Sequence, residues 1–176
     1  MNKYVLLLVF LFISPFIFGV EIQISSLNDL VKIGVEPEYP LDAEYILLSN
    51  IDAVTTENMD EGLGFKPIGN QENPFTGKFN GNGKTINGLF IKREAYSNLG
   101  LFGYIKGGEV RNLILENAFI SGYIYAGGIS GQNEGGKIIN CWLKNCAIQV
   151  VGASGGVGGI VANHYNGGVI EKCFVS

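Results

Sequence analysis

The stretch GLFGYIKGGEVRNLILENAFISG, residues 100 to 122, lies over GISGQNEGGKIINCWLKNCAIQV, residues 128 to 150, without a gap and at a constant offset of 28. Gly100 matches Gly128, Gly103 matches Gly131, Gly107 and Gly108 match Gly135 and Gly136, Asn112 matches Asn140, and Asn117 matches Asn145. A third copy, GIVANHYNGGVIEKCFV (159 to 175), fits with one extra residue near His164 to Asn166. A fourth, degenerate copy places Ile86, Leu89 and Ile91 where Val110, Leu113 and Leu115 stand, followed by Ile138, Cys141 and Leu143 and then by Ile170, Cys173 and Val175. The resulting spacings of 24, 28 and 32 vary where loops would vary, while the motif keeps its internal distances.

A repeat of this length cannot bury its own apolar face, but parallel strands stacked about 4.8 Å apart set like residues above one another and share one core. The fold class expected is all-β: a parallel β-helix, or solenoid, with a short N-terminal helical cap. Composition fits, since a chain of 176 residues with 47% hydrophobic content has ample apolar material for one domain. Its 26 glycines show no every-third spacing and are read as turns between short strands.

Those turns explain a motif that otherwise points elsewhere. PFTGKFNGNGKTINGLFI (74 to 91) contains Gly-Lys-Thr after a glycine-rich run, as a phosphate-binding loop does. Such a loop needs a further glycine five positions before Gly83, where this chain has Lys78, and it must open a helix. INGLFI after Thr85 instead reads as a strand, so no nucleotide and no other cofactor is expected.

Three segments are expected. Residues 1–20 read as a signal peptide: Lys3 precedes the apolar run YVLLLVFLFISPFIFGV, with cleavage between Phe18 and Glu21. The alternative is an uncleaved anchor, because the run approaches spanning length. Residues 21–44 form a cap in which SSLNDLVKIG is a short helix, with Ser25 or Ser26 as N-cap, Leu27, Leu30 and Val31 on one face and Gly34 as the stop. Residues 45–176 carry the repeats, the last rung incomplete at Ser176.

A formal charge of −4 and a pI near 5 leave no basic footprint for nucleic acid or for a membrane beyond the signal segment, and Lys92-Arg93 is the one adjacent basic pair. Carbohydrate-active enzymes on β-helices need converging carboxylates. Here Asp29, Asp42, Asp52 and Asp60 all precede the repeats, and none is expected in the coil. Glu57, Asp60 and Glu61 read as a solvated acidic turn, with a bound cation as the alternative. His164, the one histidine, rules out a His-Glu-x-x-His zinc site and is expected in an irregular insert. Cys141 and Cys173 share the rung position of Leu89 and Leu113, and Cys146 aligns with Ala118. All three are read as free core thiols, because in-register parallel pairing does not favour the disulfide dihedral. No catalytic residue, cofactor or metal is expected.

The block PIG…PFTGKFNGNGKTINGLFI (67 to 91), followed by GLFGYIKGGEVRNLILENAFISG and GGISGQNEGGKIINCW, resembles the GLUG-repeat proteins, with YILLSNIDA (45 to 53) similar to their lead-in strand. The resemblance covers roughly residues 24 to 176. It implies a right-handed parallel β-helix and a bacterial, secreted or surface-attached, adhesin-like scaffold. Repeats of this family also occur beside IgA-specific metallopeptidases, and the family offers no shared catalytic residue to carry over.

Between the inward positions of each rung stand Phe90, Ile114, Trp142 and Phe174, which alternation points outward as an apolar stripe. Such a stripe suits a protein or glycan ligand, unless TTENMDEGLGFKPIG folds over it. Asn112/Asn140 and Asn117/Asn145 read as side-chain ladders at turns. The functional expectation is a non-catalytic surface binding module. The alternatives are a piece of a longer fibre that self-associates end to end through its open end, and, last, a carbohydrate-active enzyme.

Overall fold

The computed structural model describes residues 21–176, and the signal-peptide reading of residues 1–20 lies outside them. The chain winds as a parallel β-solenoid. Sheet I stacks Ile22–Ile24, Glu44–Leu47, Lys78–Asn80, Glu109–Arg111, Lys137–Ile139 and Val169–Glu171. Sheet II stacks Ile51–Asp52, Thr85–Asn87, Ile114–Glu116, Trp142–Lys144 and Phe174–Val175, and sheet III stacks Phe90–Lys92, Phe119–Gly122 and Ala147–Val150. Tyr125–Gly127 and Gly156–Gly158 form sheet IV, and Phe102–Lys106, Ser130–Glu134 and Val161–Tyr165 form sheet V. From Glu109 on, each circuit runs I, II, III, IV, V and rises by one strand, with every strand pair parallel.

Within a circuit the inward residues of the first three sheets recur every five positions. Val110, Leu115 and Ile120 are fully buried, as are Ile138 and Leu143 above the first two. Between consecutive inward residues the chain turns a corner at a left-handed residue: Asn112 (φ 54°), Asn117 (φ 54°), Asn140 (φ 53°) and Asn145 (φ 49°). Asparagine tolerates this conformation better than most side chains, and its amide can stack on the rung below. Asn112 Nδ2 donates to Asn80 Oδ1 (3.1 Å), and Asn140 Nδ2 donates to Asn112 Oδ1 (2.8 Å). A second ladder runs from Asn145 through Asn117 (2.7 Å) to Asn87 (2.8 Å).

That five-residue step corrects the lowest register. Val110 sits over Phe79, Leu115 over Ile86 and Ile120 over Ile91, so the circuit from Phe79 to Val110 is 31 residues rather than 24. Sliding the lower copy by one step keeps the apolar pattern, and the two-residue-longer Gly81 to Lys84 corner hides the true frame. Leu89 consequently stacks beneath Ala118 and Cys146, while Cys141 stacks between Leu113 and Cys173.

The cap forms as its sequence dictates, around a single helical turn, Leu27–Leu30. Ser26 Oγ accepts from the Asp29 N–H (3.2 Å), and the Asp29 carboxylate accepts from the Ser25 N–H (3.1 Å) and the Ser26 hydroxyl (2.8 Å). This reciprocal box satisfies donors a helix start leaves open, and the bonds to Ser26 and Ser25 hold the Asp29 carboxyl below its usual value. Leu30 is thereby fully buried on the core, and Gly34 (φ +75°) ends the turn. Ile22–Ile24 pairs with residues 45 to 47, so sheet I begins inside the segment read as cap.

Aromatic side chains fill the first full circuits. Phe102 packs on Phe75 (centroids 4.8 Å) and edge-on to Phe79 (5.5 Å), all three fully buried. Where neighbouring backbones cross, only glycine fits: a Cβ on Gly131 would lie 2.3 Å from the Asn98 carbonyl carbon.

Candidate functional site

Strict alternation turns Thr85, Ile114, Trp142 and Phe174 outward from sheet II, in register one above another. Ile114 is half-buried, whereas Trp142 and Phe174 are 42% and 61% exposed. The two rings stand 6.3 Å apart at 60°. Lys144, two residues along the same strand, places its ammonium 4.2 Å from the Trp142 centroid, a cation–π contact that props one face of the indole. Trp142 Nε1 donates to Ser176 Oγ (3.3 Å). A groove of about 560 Å³ runs along the ladder, and its polar rim is the corner of Asn112 and Asn140.

Phe90 is not part of this ladder. It belongs to sheet III, stacked on Phe119 (centroids 5.2 Å, 19°), a consequence of the five-residue shift in register. The segment from Thr55 to Gly69 covers Phe90's strand and leaves Trp142 and Phe174 open. Thr56 Oγ1 accepts from the Phe90 N–H (2.9 Å), the Phe65 N–H donates to Phe90 O (2.8 Å) and the Lys92 N–H to Leu63 O (2.9 Å).

The remaining candidates are placed as follows. Asp52 lies on a sheet II strand, inside the coil and contrary to expectation, where its carboxylate accepts from the Val54 N–H (3.2 Å) and starts a turn. Asp60 does not stand free with Glu57 and Glu61: Arg93 Nη2 donates to it at 2.6 Å. Among the described residues no group of three or more His, Cys, Asp or Glu side chains could hold a metal. His164 sits on the strand Val161–Tyr165 above Asn133, not in an insert, and its Nδ1 lies 3.1 Å from the Asn133 amide nitrogen. The three cysteines are free, Cys141 buried and Cys146 and Cys173 half-buried. Both stacked thiols donate to backbone carbonyls, Cys141 to Val110 and Ile139 and Cys173 to Ile138 and Glu171, and their proximity raises the Cys141 thiol and lowers that of Cys173, while burial raises Cys146.

One polar cluster went unread although the repeat held its signal. Lys106 and Glu134 stand at the offset of 28, opposite charges on adjacent rungs. Glu134 accepts from the Tyr104 hydroxyl (2.7 Å), Lys106 Nζ (3.3 Å) and Asn166 Nδ2 (3.2 Å), and Tyr104 also meets the Tyr165 hydroxyl (2.5 Å). The Tyr104 bond, helped by Lys106, holds the Glu134 carboxyl below its ordinary 4.5. A carboxyl depressed in the folded state contributes stability present above 4.5, and this is lost as pH falls through the folded value. Glu134→Gln is therefore expected to lower the melting temperature at pH 7, and the gap from the parent chain should close in thermal melts run progressively below pH 4.5. A gap that stays constant with pH would remove Glu134 from the acid response.

Two known proteins are similar to the chain. Halomucin of Haloquadratum walsbyi is 36% identical over 154 residues, 85% of this chain and 2% of halomucin. A putative Gly-rich membrane protein of Evansella cellulosilytica is 42% identical over 78 residues, 42% of this chain and 9% of that protein. The chain thus spans a small fraction of either relative's length. No family model matches, so the GLUG-repeat resemblance rests on its motifs alone, and no solved structure matches. Among the described residues no helix is long and apolar enough to cross a membrane.

Proposed function

We propose that this chain is a non-catalytic, secreted or cell-surface scaffold, adhesin-like in use, that binds a glycan along the groove beside Trp142 and Phe174. The observation that carries this reading is an outward ladder of exposed rings bordered by side-chain amides, which pairs flat apolar faces with neutral hydrogen-bonding groups. A neutral sugar ring has that same division between apolar face and hydroxyl edge. Support for an extracytoplasmic place comes from the apolar leader sequence and from a relative named as a membrane protein. Carboxylates engaged in structural pairs support a non-catalytic role: Asp60 with Arg93, Glu44 with Lys78, Glu109 with Arg111 and Glu134 with Lys106.

Trp142 is the one tryptophan in the chain, so its fluorescence reports this site directly. A neutral β-linked trisaccharide is expected to shift its emission to the blue and protect it from acrylamide. The Trp142→Phe, Phe174→Ser double variant, followed by calorimetry, should bind about tenfold or more weakly, the loss typical of one central aromatic contact. Unchanged quenching and unchanged affinity would remove the groove from the function.

A further inference from the structure

We infer that the cleft around Arg93 is a second binding site, which takes a carboxylate-bearing sugar. The inference does not depend on the Trp142 groove. A cleft of about 990 Å³ opens where the first circuit leaves the solenoid, between the cap loop of residues 31 to 41 and the loop of residues 59 to 73. Arg93 lines it while being only 7% exposed.

A guanidinium carries five N–H donors. Three are used by the chain: Nε donates to Phe65 O (3.1 Å), and Nη2 to Gly64 O (2.9 Å) and Asp60 Oδ2 (2.6 Å). Both N–H groups of Nη1 have no partner among the described residues. A nearly buried guanidinium fixed by three bonds, with one nitrogen left over at a cleft, is a preorganised donor for an acceptor brought from outside.

The surroundings select the ligand. Arg93 and Lys66 are opposed in the cleft by Asp60 and Glu36, so the local charge is balanced and recognition rests on a directed contact to one carboxylate rather than on the ligand's net charge. A sugar unit that presents one carboxylate to the guanidinium fits that demand. Tyr96 stands at the mouth, 55% exposed, and its N–H donates to Arg93 O (2.8 Å), so one turn holds both the ring and the arginine. Asn70 turns its Oδ1 inward to accept from the Glu72 and Asn73 N–H groups (2.9 and 2.8 Å), leaving Nδ2 as a donor for a hydroxyl. A flat ring, an amide donor and a directed guanidinium match a uronic acid unit: ring face, hydroxyl and carboxylate.

The test is calorimetric titration of the full chain with trigalacturonate and, separately, with the neutral galactose trimer. Trigalacturonate should bind at least about tenfold more tightly than the neutral trimer. Arg93→Lys, which keeps the charge and loses the fork, should abolish that preference. Because Arg93 also ties down Gly64 and Phe65, the exposed Tyr96→Ala variant is run alongside, checked for an unchanged melting temperature, and should weaken trigalacturonate about fivefold. Trp142→Phe should leave this affinity unchanged, which separates failure here from failure of the groove. Absence of trigalacturonate binding, equal binding of the neutral trimer, displacement of trigalacturonate by an equimolar amount of acetate, or an unaffected Tyr96→Ala variant would each overturn the site.

Discussion

Phe102→Ala is expected to destabilise the chain by about 3–5 kcal/mol, the cost of emptying a phenylalanine-sized site in a packed core. For a chain of this length that corresponds to a fall of roughly 6–20 °C in melting temperature. The magnitude follows from position. Phe102 starts a sheet V strand, is fully buried, and packs against Phe75 from the circuit below and Phe79 from sheet I. Its ring therefore joins two faces and two circuits, and the phenyl groups around it cannot collapse into the space without shifting backbone. Tyr123→Ala provides the contrast: at 47% exposed it should change stability by no more than about 0.5 kcal/mol. Urea unfolding followed by circular dichroism measures both. Comparable effects of the two substitutions would show that the inward and outward assignments on these faces are wrong.

The solenoid was legible because stacking demands like residues at like positions, and the offset of 28 between residues 100 to 122 and 128 to 150 is carried directly into the register Val110 to Ile138 and Leu115 to Leu143. The lower circuit was misread for a physical reason. Three consecutive sheets use a five-residue unit of inward residue, spacer, left-handed corner, second inward residue and outward residue. A sequence such as INGLFI satisfies that unit in either of two frames. The choice between frames is made by Phe79, which fills the space beneath Val110, and by the longer corner at Gly81 to Lys84. Phe90 was assigned to the wrong ladder as a direct result, while Ile114, Trp142 and Phe174, which follow unambiguous copies, fell together.

The Arg93 cleft was hidden for a different reason. Its partners Asp60, Gly64 and Phe65 come from a circuit that departs from the repeat, so no offset relates them to Arg93. Lys92-Arg93 read as an ordinary basic pair, yet strand alternation exposes the first and buries the second. Side-chain burial at the end of a strand depends on what the neighbouring loop does, and loops that break a repeat are the part a repeat does not specify.

Asn112→Ala should cost about 2–5 kcal/mol, made up of two ladder hydrogen bonds at roughly 0.5–1.5 kcal/mol each and left-handed strain at roughly 1–2 kcal/mol. Asn112 is the middle member of its ladder, donating to Asn80 and accepting from Asn140. Asn112→Gly loses the same bonds without the strain, so the difference between the two variants isolates the corner's backbone demand. Lys172 shows that the demand comes from the coil: it occupies the equivalent corner one circuit above Asn140, with φ 54° and no amide. Asn112→Asp separates the ladder's polarity from its shape. An aspartate still accepts from Asn140 but faces the Asn80 Oδ1 with a second acceptor, so folding favours its protonated form and raises its pKa above the ordinary value of about 3.9. Stability lost at neutral pH should then be partly regained as pH falls through that raised pKa, measured relative to the parent chain in the same buffers. An Asn112→Asp variant whose deficit does not shrink in acid would mean that the amides stack by shape alone and that their donor-to-acceptor order contributes nothing to holding the coils in register.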